Sequence, residues 1–343
     1  MMILKVGGKK LSRFNDINVN LKYDSVASTF SFVYWYDPNN IDLREFNKFG
    51  SYVDAVVEYN GNPIITGTVL NFSHAVSSEK SLSQISGYSK SGVLEDCQIP
   101  VDSYPLQANG KSLLDIARSL IRPFGLNISV SPDVSSVVNA SINSTTASAS
   151  QSIVGYLAEI ASQRNVILSH DVFSNVLFTR AQVNQPPLFE INRGGVGVTS
   201  MSLVFNGQGM HSEITVIKQA SASGGNAGQF TVSNPFVSKY RPKVSIQSSG
   251  DDITTEQSAK RELASEIGSI VLSISLSSWE YKGQLLQPNT VISVVDPQLG
   301  MPNKTKWFIE EVSFRGNQES QTCELKCVLP SVHDGSTPTN VFI

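Results

Sequence analysis

The sequence predicts a mixed, mainly β chain of the α+β type, with two β-barrel domains and small α/β subdomains inserted between their parts. Three observations carry this. Gly283 to Pro330 reads as consecutive strands of one barrel. Its best alternation starts at Gln321, where Cys323, Leu325, Cys327 and Leu329 face one way and Thr322, Glu324 and Lys326 the other. The composition, 40% apolar and only 16% charged with Ser, Asn, Val and Ile abundant, describes an ordered chain that leans towards strands. Isolated helical stripes then interrupt the strand signals instead of dominating them.

The elements follow in order. Ile17 to Leu21 alternates, and Thr29 to Tyr36 is dense in aromatic and β-branched residues before Asp37-Pro38-Asn39-Asn40 breaks it. Tyr52 to Tyr59 and Ile64 to Phe72 flank Asn60-Gly61-Asn62-Pro63, a hairpin signal. Ser81 to Gly87 adds another alternating strand. Lys111 to Arg122 places Leu113, Ile116, Ala117, Leu120 and Ile121 on one helical stripe, ended by Pro123 and Gly125. Val134 to Ser152 is polar and reads as a long loop; Ile153, Leu157, Ile160 and Ala161 mark a second helix that Asn165 stops. Val166 to Leu168 and Val176 to Phe178 bracket Asp171 to Asn175 as a hairpin.

Gln182 to Pro187 reads as a linker, and Gly194-Gly195 as a turn before Thr199 to Val204 opens the second barrel. His211 to Lys218 alternates, and Gln219 to Gly228 reads as a mobile loop or subunit-contacting insertion. Thr254 with Gln257 forms a capping box for a helix carrying Ala259, Leu263, Ile267 and Ile270. Leu272, Ile274 and Leu276 return to a strand leading to Trp279. Thr290 to Val295 is closed by Asp296-Pro297. Trp307 and Ile309 share a face before the phase shifts to Val312 and Phe314, the mark of a bulge, and Arg315 to Gln318 supplies a hairpin link.

The 343 residues exceed what one core usually organises. The expected division is 1–96 as first barrel, 97–184 as an α/β subdomain, 185–220 as the first part of the second barrel, 221–282 as an α/β insertion with a flexible loop, and 283–343 as the rest of the second barrel and a tail.

The run Ser86 to Cys97, SGYSKSGVLEDC, following Ile64 to Val69, resembles the barrel-to-linker passage of Mu-like phage baseplate hub proteins, the late control protein D or tail hub family. The resemblance continues through Ile116 to Val130, Asn165 to Arg180, Tyr240-Arg241-Pro242 and the final barrel. It implies two mutually similar tube-type barrels and a homotrimeric ring with pseudo-sixfold symmetry. Such a ring joins a hexameric tail tube or tube initiator to a trimeric central spike. It also contacts other baseplate proteins and the tape measure, and lets DNA pass without specific binding. The implied setting is the virion tail baseplate, assembled in the bacterial cytoplasm. Type VI secretion spikes and P2-like tail proteins share hub-like barrels; a fused spike needs a repetitive β-helix, and a short tail after Pro330 points to a separate spike chain.

Chemistry-bearing residues form no reactive constellation. His74, His170, His211 and His333 are scattered without ligand spacing, and three cysteines are too few for a disulfide framework. Cys323 and Cys327 stand about 13 Å apart along one strand. Glu95 and Asp96, read as adjacent strand residues, point to opposite faces and cannot flank one bond. His170-Asp171 reads as turn chemistry, Ser152 and Ser169 lack a nucleophile elbow, and Gly224-Gly225 lacks the lysine of a phosphate loop. The Asn143-Ser144-Thr145 triplet carries no weight without a signal peptide. No catalytic residue, cofactor or metal is therefore assigned. A net charge of −3 offers no basic field for nucleic acid, and no apolar run approaches the roughly 18 residues of a membrane span, so a soluble protein is expected. The remaining alternative is a carbohydrate-binding or wall-degrading tail module, with Phe30, Phe32, Tyr34 and Tyr36 lining a sugar groove; the period-2 spacing favours a strand face instead.

Overall fold

The computed structural model describes all residues except 38, 41–49, 79–80, 105–106, 144, 149, 220–225, 248–253 and 343. The expected break at 37–40, the Gly/Ser loop with its Gly-Gly pair and the Asn-Ser-Thr triplet each fall partly outside the described residues.

The first β unit contains β1 (Met2–Val6), β2 (Lys9–Leu11), β3 (Asp16–Lys22), β4 (Thr29–Trp35), β5 (Asp54–Tyr59), β6 (Asn62–Val76) and β7 (Ser81–Ser89). They pair in the order β3-β4-β7-β6-β5-β1-β2. The β5–β6 turn is the expected one, with Asn60 at φ 49° and Gly61 at φ 84°, the double left-handed geometry that suits a twisted hairpin. The first hairpin, β1–β2, was not expected from sequence, although Gly7 and Gly8 make the same kind of turn with φ 53° and 83°.

A middle domain follows. Its helices are α1 (Val93–Asp96), α2 (Leu113–Ile121), α3 (Ser135–Asn139) and α4 (Ile153–Gln163); its strands β8 (Ile128–Val130), β9 (Ile167–His170) and β10 (Val176–Thr179) form a sheet ordered β8-β10-β9. Ser112 caps α2, accepting from Asp115 N at 3.1 Å, and Ser152 caps α4, accepting from Gly155 N at 3.0 Å. Both predicted apolar stripes are buried in one separate core. The reading of 134–152 as an unbroken loop is corrected: it holds α3, and Val134, Val138 and Ile142 plug into that core.

The second β unit contains β11 (Phe189–Ile191), β12 (Val198–Phe205), then a small layer of β13 (Glu213–Gln219), β14 (Asn226–Ser233), β15 (Pro242–Gln247) and α5 (Thr255–Ile267). It resumes with β16 (Ile270–Leu276), the two-residue pair β17 (Glu280–Tyr281) and β18 (Gln284–Leu285), β19 (Thr290–Asp296), β20 (Met301–Gly316), β21 (Gln321–Val328) and α6 (Ser331–Asp334). The predicted capping box is present: Gln257 N donates to Thr254 Oγ1 at 3.1 Å and Thr254 N to Gln257 Oε1 at 3.0 Å. Two assignments shift. Ile270 begins β16 instead of ending the helix, and β13 pairs with β14 and β15 in the inserted layer, whereas β16 joins the main sheet.

The two units run through the same scheme. Strands β3, β4, β7, β6 and β5 of the first are neighbours in the order that β12, β16, β21, β20 and β19 follow in the second. Even the irregularities coincide: the β6–β7 register slips between Val69 and Asn71, and the β20–β21 register between Ile309 and Glu311, as expected for the second. Taking those slips as the common origin, Val69 corresponds to Ile309, Leu70 to Glu310 and Gly87 to Cys327.

Closure of each unit into its own barrel is not observed among the described residues. Instead β3 pairs antiparallel with β20, from Glu311 opposite Lys22 to Gly316 opposite Ile17, so that both units lie in one 13-stranded sheet. The physical reason is that an edge strand must find a partner, and β20 is long enough to serve β19 with its first half and β3 with its second. A common apolar core joins the units, containing Phe30, Phe32 and Tyr34 with Trp279, Trp307 and Phe314. The expected fold class, mainly β with inserted α/β layers, holds.

Candidate interaction surface

The titratable side chains serve local packing. His74 Nδ1 lies 2.6 Å from Ser83 Oγ and its ring sits against Tyr36. His170 donates from Nδ1 to Ser25 O at 2.8 Å, tying the middle domain to the first unit; burial lowers its pKa. His211 Nδ1 is 2.8 Å from Glu266 Oε1. Asp171 closes the β9–β10 turn by accepting from Phe173 N and Asn175 N, both at 2.9 Å, which is the turn chemistry the sequence indicated.

Glu95 and Asp96 stand on α1, not on a strand, so the reason given for separating them changes. They still diverge: Glu95 accepts from Ser25 Oγ at 3.0 Å and Asp96 from Tyr88 OH at 2.8 Å. Ser169 donates to Tyr23 O, and Ser152 is the helix cap described above. Phe30, Phe32 and Tyr34 are buried, which removes them from any sugar-facing surface. Cys323 and Cys327 are buried free thiols; desolvation pushes the Cys323 thiol up to about 12 and raises Cys327 further. Among the described residues no three His, Cys, Asp or Glu side chains gather as a metal site.

One buried charge cluster was not foreseen. Glu310, the bulge residue of β20, is 2.6 Å from Lys326 Nζ and 3.3 Å from His333 Nε2. Burial alone would raise its pKa, but the contacts with His333 and Lys326 outweigh that and hold the carboxyl below its ordinary value. His333 is itself held between Tyr23 and Phe308, at ring-centroid distances of 6.2 and 4.9 Å. The only sequence signal was the phase shift that exposed the bulge.

What the molecule presents outward is strand edge and apolar surface. Along its longest path the main sheet of described strands ends at β2 on one side and β12 on the other, and its branch through β19 ends at β11. On β12, Val204 and Phe205 are 52% and 45% exposed, and Met201 and Leu203 only half-buried. The far end of β6 carries Val76, 79% exposed. In the inserted layer, Val244 and Ile246 of the edge strand β15 are 63% and 67% exposed. Exposed apolar area beside an unpaired strand edge is the kind of surface on which another strand can pair. No described helix is long and apolar enough to cross a membrane.

Residues 91–180, the middle domain, match the family described as baseplate hub protein gp44-like, second domain. No curated protein matches the chain. The whole fold is shared with the 43 kDa tail protein of prophage MuSo2 from Shewanella oneidensis, with TM-score 0.81 and 22% identity over 97% of this chain and 99% of that one. It is shared also with the tail protein from Neisseria meningitidis MC58, with TM-score 0.79 and 18% identity over 98% of each chain. An E. coli type VI secretion component described as structurally similar to T4 tail proteins gp27 and gp5 aligns with TM-score 0.56 and 10% identity, over 98% of this chain and 80% of that one. The resemblance to phage baseplate hub proteins therefore holds: residues 91–180 match a domain of that family, and the whole fold is that of the two tail proteins.

Proposed function

We propose that this baseplate-hub-like chain is a structural, non-enzymatic hub: a ring of three copies in the virion baseplate that joins a hexameric tail tube to a trimeric central spike. The observation that supports it is the doubled β unit. Three chains, each carrying two units with one pairing scheme, present six near-equivalent sets of strands to a sixfold partner while keeping threefold symmetry for the other. Each β unit then acts as one tube-type domain, with the sheet completed by its neighbours and not by closing on itself.

The middle domain, the inserted layer around β13–β15 and the tail lie outside this doubled scheme and are the natural sites for spike, tape-measure and other baseplate proteins. We take the boundaries to be those of the expected division, with β13 moved into the insertion and β16 into the second unit. The central channel passes DNA without gripping it, in keeping with a weakly negative chain. Assembly takes place in the host cytoplasm before the tail is completed.

The test is the mass and symmetry of the full-length protein. Light scattering across a concentration series is expected to give a trimer, and electron micrographs of that species a ring with six similar lobes. A species that stays monomeric alone and with the purified spike and tube proteins overturns the reading. Release of reducing ends from peptidoglycan would instead establish a wall-degrading module.

A further inference from the structure

Outside the doubled scheme, the middle domain and the inserted layer meet across a polar cleft whose arginines have no counter-charge. Arg164 caps the end of α4, and Asn165 beyond it is left-handed at φ 53°, so the chain turns sharply into β9. The turn lays Arg164 on the end of α3, where Nη1 donates to Val137 O at 3.1 Å and Ala140 O at 3.2 Å, and Nη2 to Ser141 O at 3.1 Å. Arg180, just past β10, donates from Nε to Asn165 O at 2.9 Å, which leaves its Nη1 and Nη2 without a partner among the described residues. From the other side α5 brings Arg261, whose Nη1 donates to Ser162 Oγ at 3.3 Å.

These side chains line connected space. Arg164 and Arg180 border a cavity of about 570 Å³ and Arg261 one of about 280 Å³, and Gln163, Asn165 and Gln257 line both. Among the described residues no Asp or Glu lines the larger cavity; the smaller has Asp334, which accepts from Ser336 N at 2.7 Å. Arg118, Arg193 and Arg315 form ion pairs with carboxylates, and none of the three cleft arginines does so among the described residues. Carbonyls and a hydroxyl therefore aim the guanidiniums without neutralising them. Three positive charges share one cleft of a chain whose net charge is −3. Between them stand amide groups with capacity to spare: Gln163 has no hydrogen-bond partner among the described residues, and Gln257 uses only its Oε1, in the cap of α5.

We propose that this cleft receives an acidic, extended peptide segment of another protein, with its carboxylates on Arg180 and Arg261 and its main chain against the amides of Gln163 and Gln257. The guanidinium fork matches a carboxylate in shape as well as charge. A peptide suits the site better than a small anion because the arginines are half-buried or exposed, where a single ion pair gains little. Carboxylates joined in one chain add their contributions, since each attaches after the first without a new encounter. A peptide also suits it better than DNA, because α4 and α5 carry Glu159, Glu256 and Glu262 outside the lining of these two cavities, which oppose a long polyanion more than a short segment. The inference goes beyond the ring reading and holds for any number of copies.

The test is fluorescence anisotropy of a labelled short peptide of alternating Glu and Ser, titrated with the full-length protein at low salt. Saturable binding that weakens as salt is added is expected, and none for the matching peptide of Lys and Ser. Arg180→Gln and Arg261→Gln are each expected to weaken it roughly tenfold. Arg180→Lys, which keeps the charge and loses the fork, should fall between wild type and Arg180→Gln. Arg122→Gln, an exposed arginine elsewhere on the middle domain, should change nothing. Arg261→Gln keeps the test open if Arg180→Gln, which loses a bond to the α4 turn, does not fold. Absence of peptide binding, or binding that neither variant weakens, overturns the proposal. So does inorganic phosphate that displaces the peptide at equal concentration, which makes this a small-anion site, or a DNA duplex that binds the same arginines more tightly. Failure of the peptide to bind an intact trimer leaves the ring standing. Arginine-dependent binding by a chain that stays monomeric, alone and with the purified spike and tube proteins, upholds the cleft and overturns the ring.

Discussion

In the first β unit the ring of Phe30 lies over two glycines: a Cβ on Gly67 would stand 3.1 Å from Phe30 Cε1, and one on Gly87 2.8 Å from its Cζ. At the matching register positions the second unit has Leu272 on β16, Trp307 on β20 and Cys327 on β21. One unit puts its bulk on the inner strand and leaves the flanking strands bare; the other puts a smaller side chain there and fills the space from the flank. Phe30, Leu272, Trp307 and Cys327 all lie in the one shared core. Packing constrains summed volume more strongly than it constrains which strand supplies it, so the two units keep one backbone scheme with almost no shared residues.

The contrast can be broken from either side. Trp307→Ala empties the filled flank and is expected to destabilise the chain most, by about 3–5 kcal/mol in urea unfolding, because no glycine-facing aromatic can swing in to replace it. Gly87→Ala should come next, at ~1–3 kcal/mol, since the added methyl meets Phe30 and would lie 2.0 Å from Thr68 O, which is backbone and cannot turn aside. Cys327→Ala, at the matching place in the second unit, removes one buried sulfur and is expected to cost only about 1 kcal/mol. If the glycine and cysteine substitutions cost the same, the two units do not fill this space in alternative ways.

The bulges sharpen the comparison further. Leu70 occupies the first and Glu310 the second. A carboxyl held below its ordinary value stabilises the folded state above its unfolded pKa of about 4.5, and that contribution is lost as pH falls from there through the folded value. Melting curves from pH 7 down to 3 should therefore show a loss below about 4.5 that Glu310→Leu, the residue of the first unit, reduces. His170 adds an earlier loss that both proteins share. Its pKa is lowered by burial, so stability starts to fall as pH drops below 6.5, where the unfolded imidazole takes up a proton that the folded one resists. The smallest effect is expected from Thr254→Ala, which removes one side of the exposed capping box on α5 at ~0.5 kcal/mol, outside both units.

Much of this was legible from spacing. The alternation from Cys323 to Leu329, the Asn-Gly turn, the two middle helices and the capping box are all local, and each is where the residues place it. What escaped was either short or non-local. The β1–β2 hairpin has strands of five and three residues, and β8 earns its pairing only from β10, which follows it by almost fifty residues. That β13 leaves the main sheet while β16 stays cannot be seen in their sequences, because both carry a period-2 apolar face and neither shows which strand it will pair with. The candidate contact surface was legible only as a kind, strand edges, since an exposed apolar alternation reads the same as a buried one until its neighbour is known.

The pairing of β3 with β20 has a consequence for the order of events during synthesis. Residues 16–22 leave the ribosome almost 290 residues before their partner, residues 311–316. At translation speeds of ~5–20 residues per second, the first unit waits tens of seconds with that edge unmatched. During this interval the nascent strand is open to the free edges of finished chains nearby. Pairing of that strand with another chain's edge therefore competes with the completion of its own sheet.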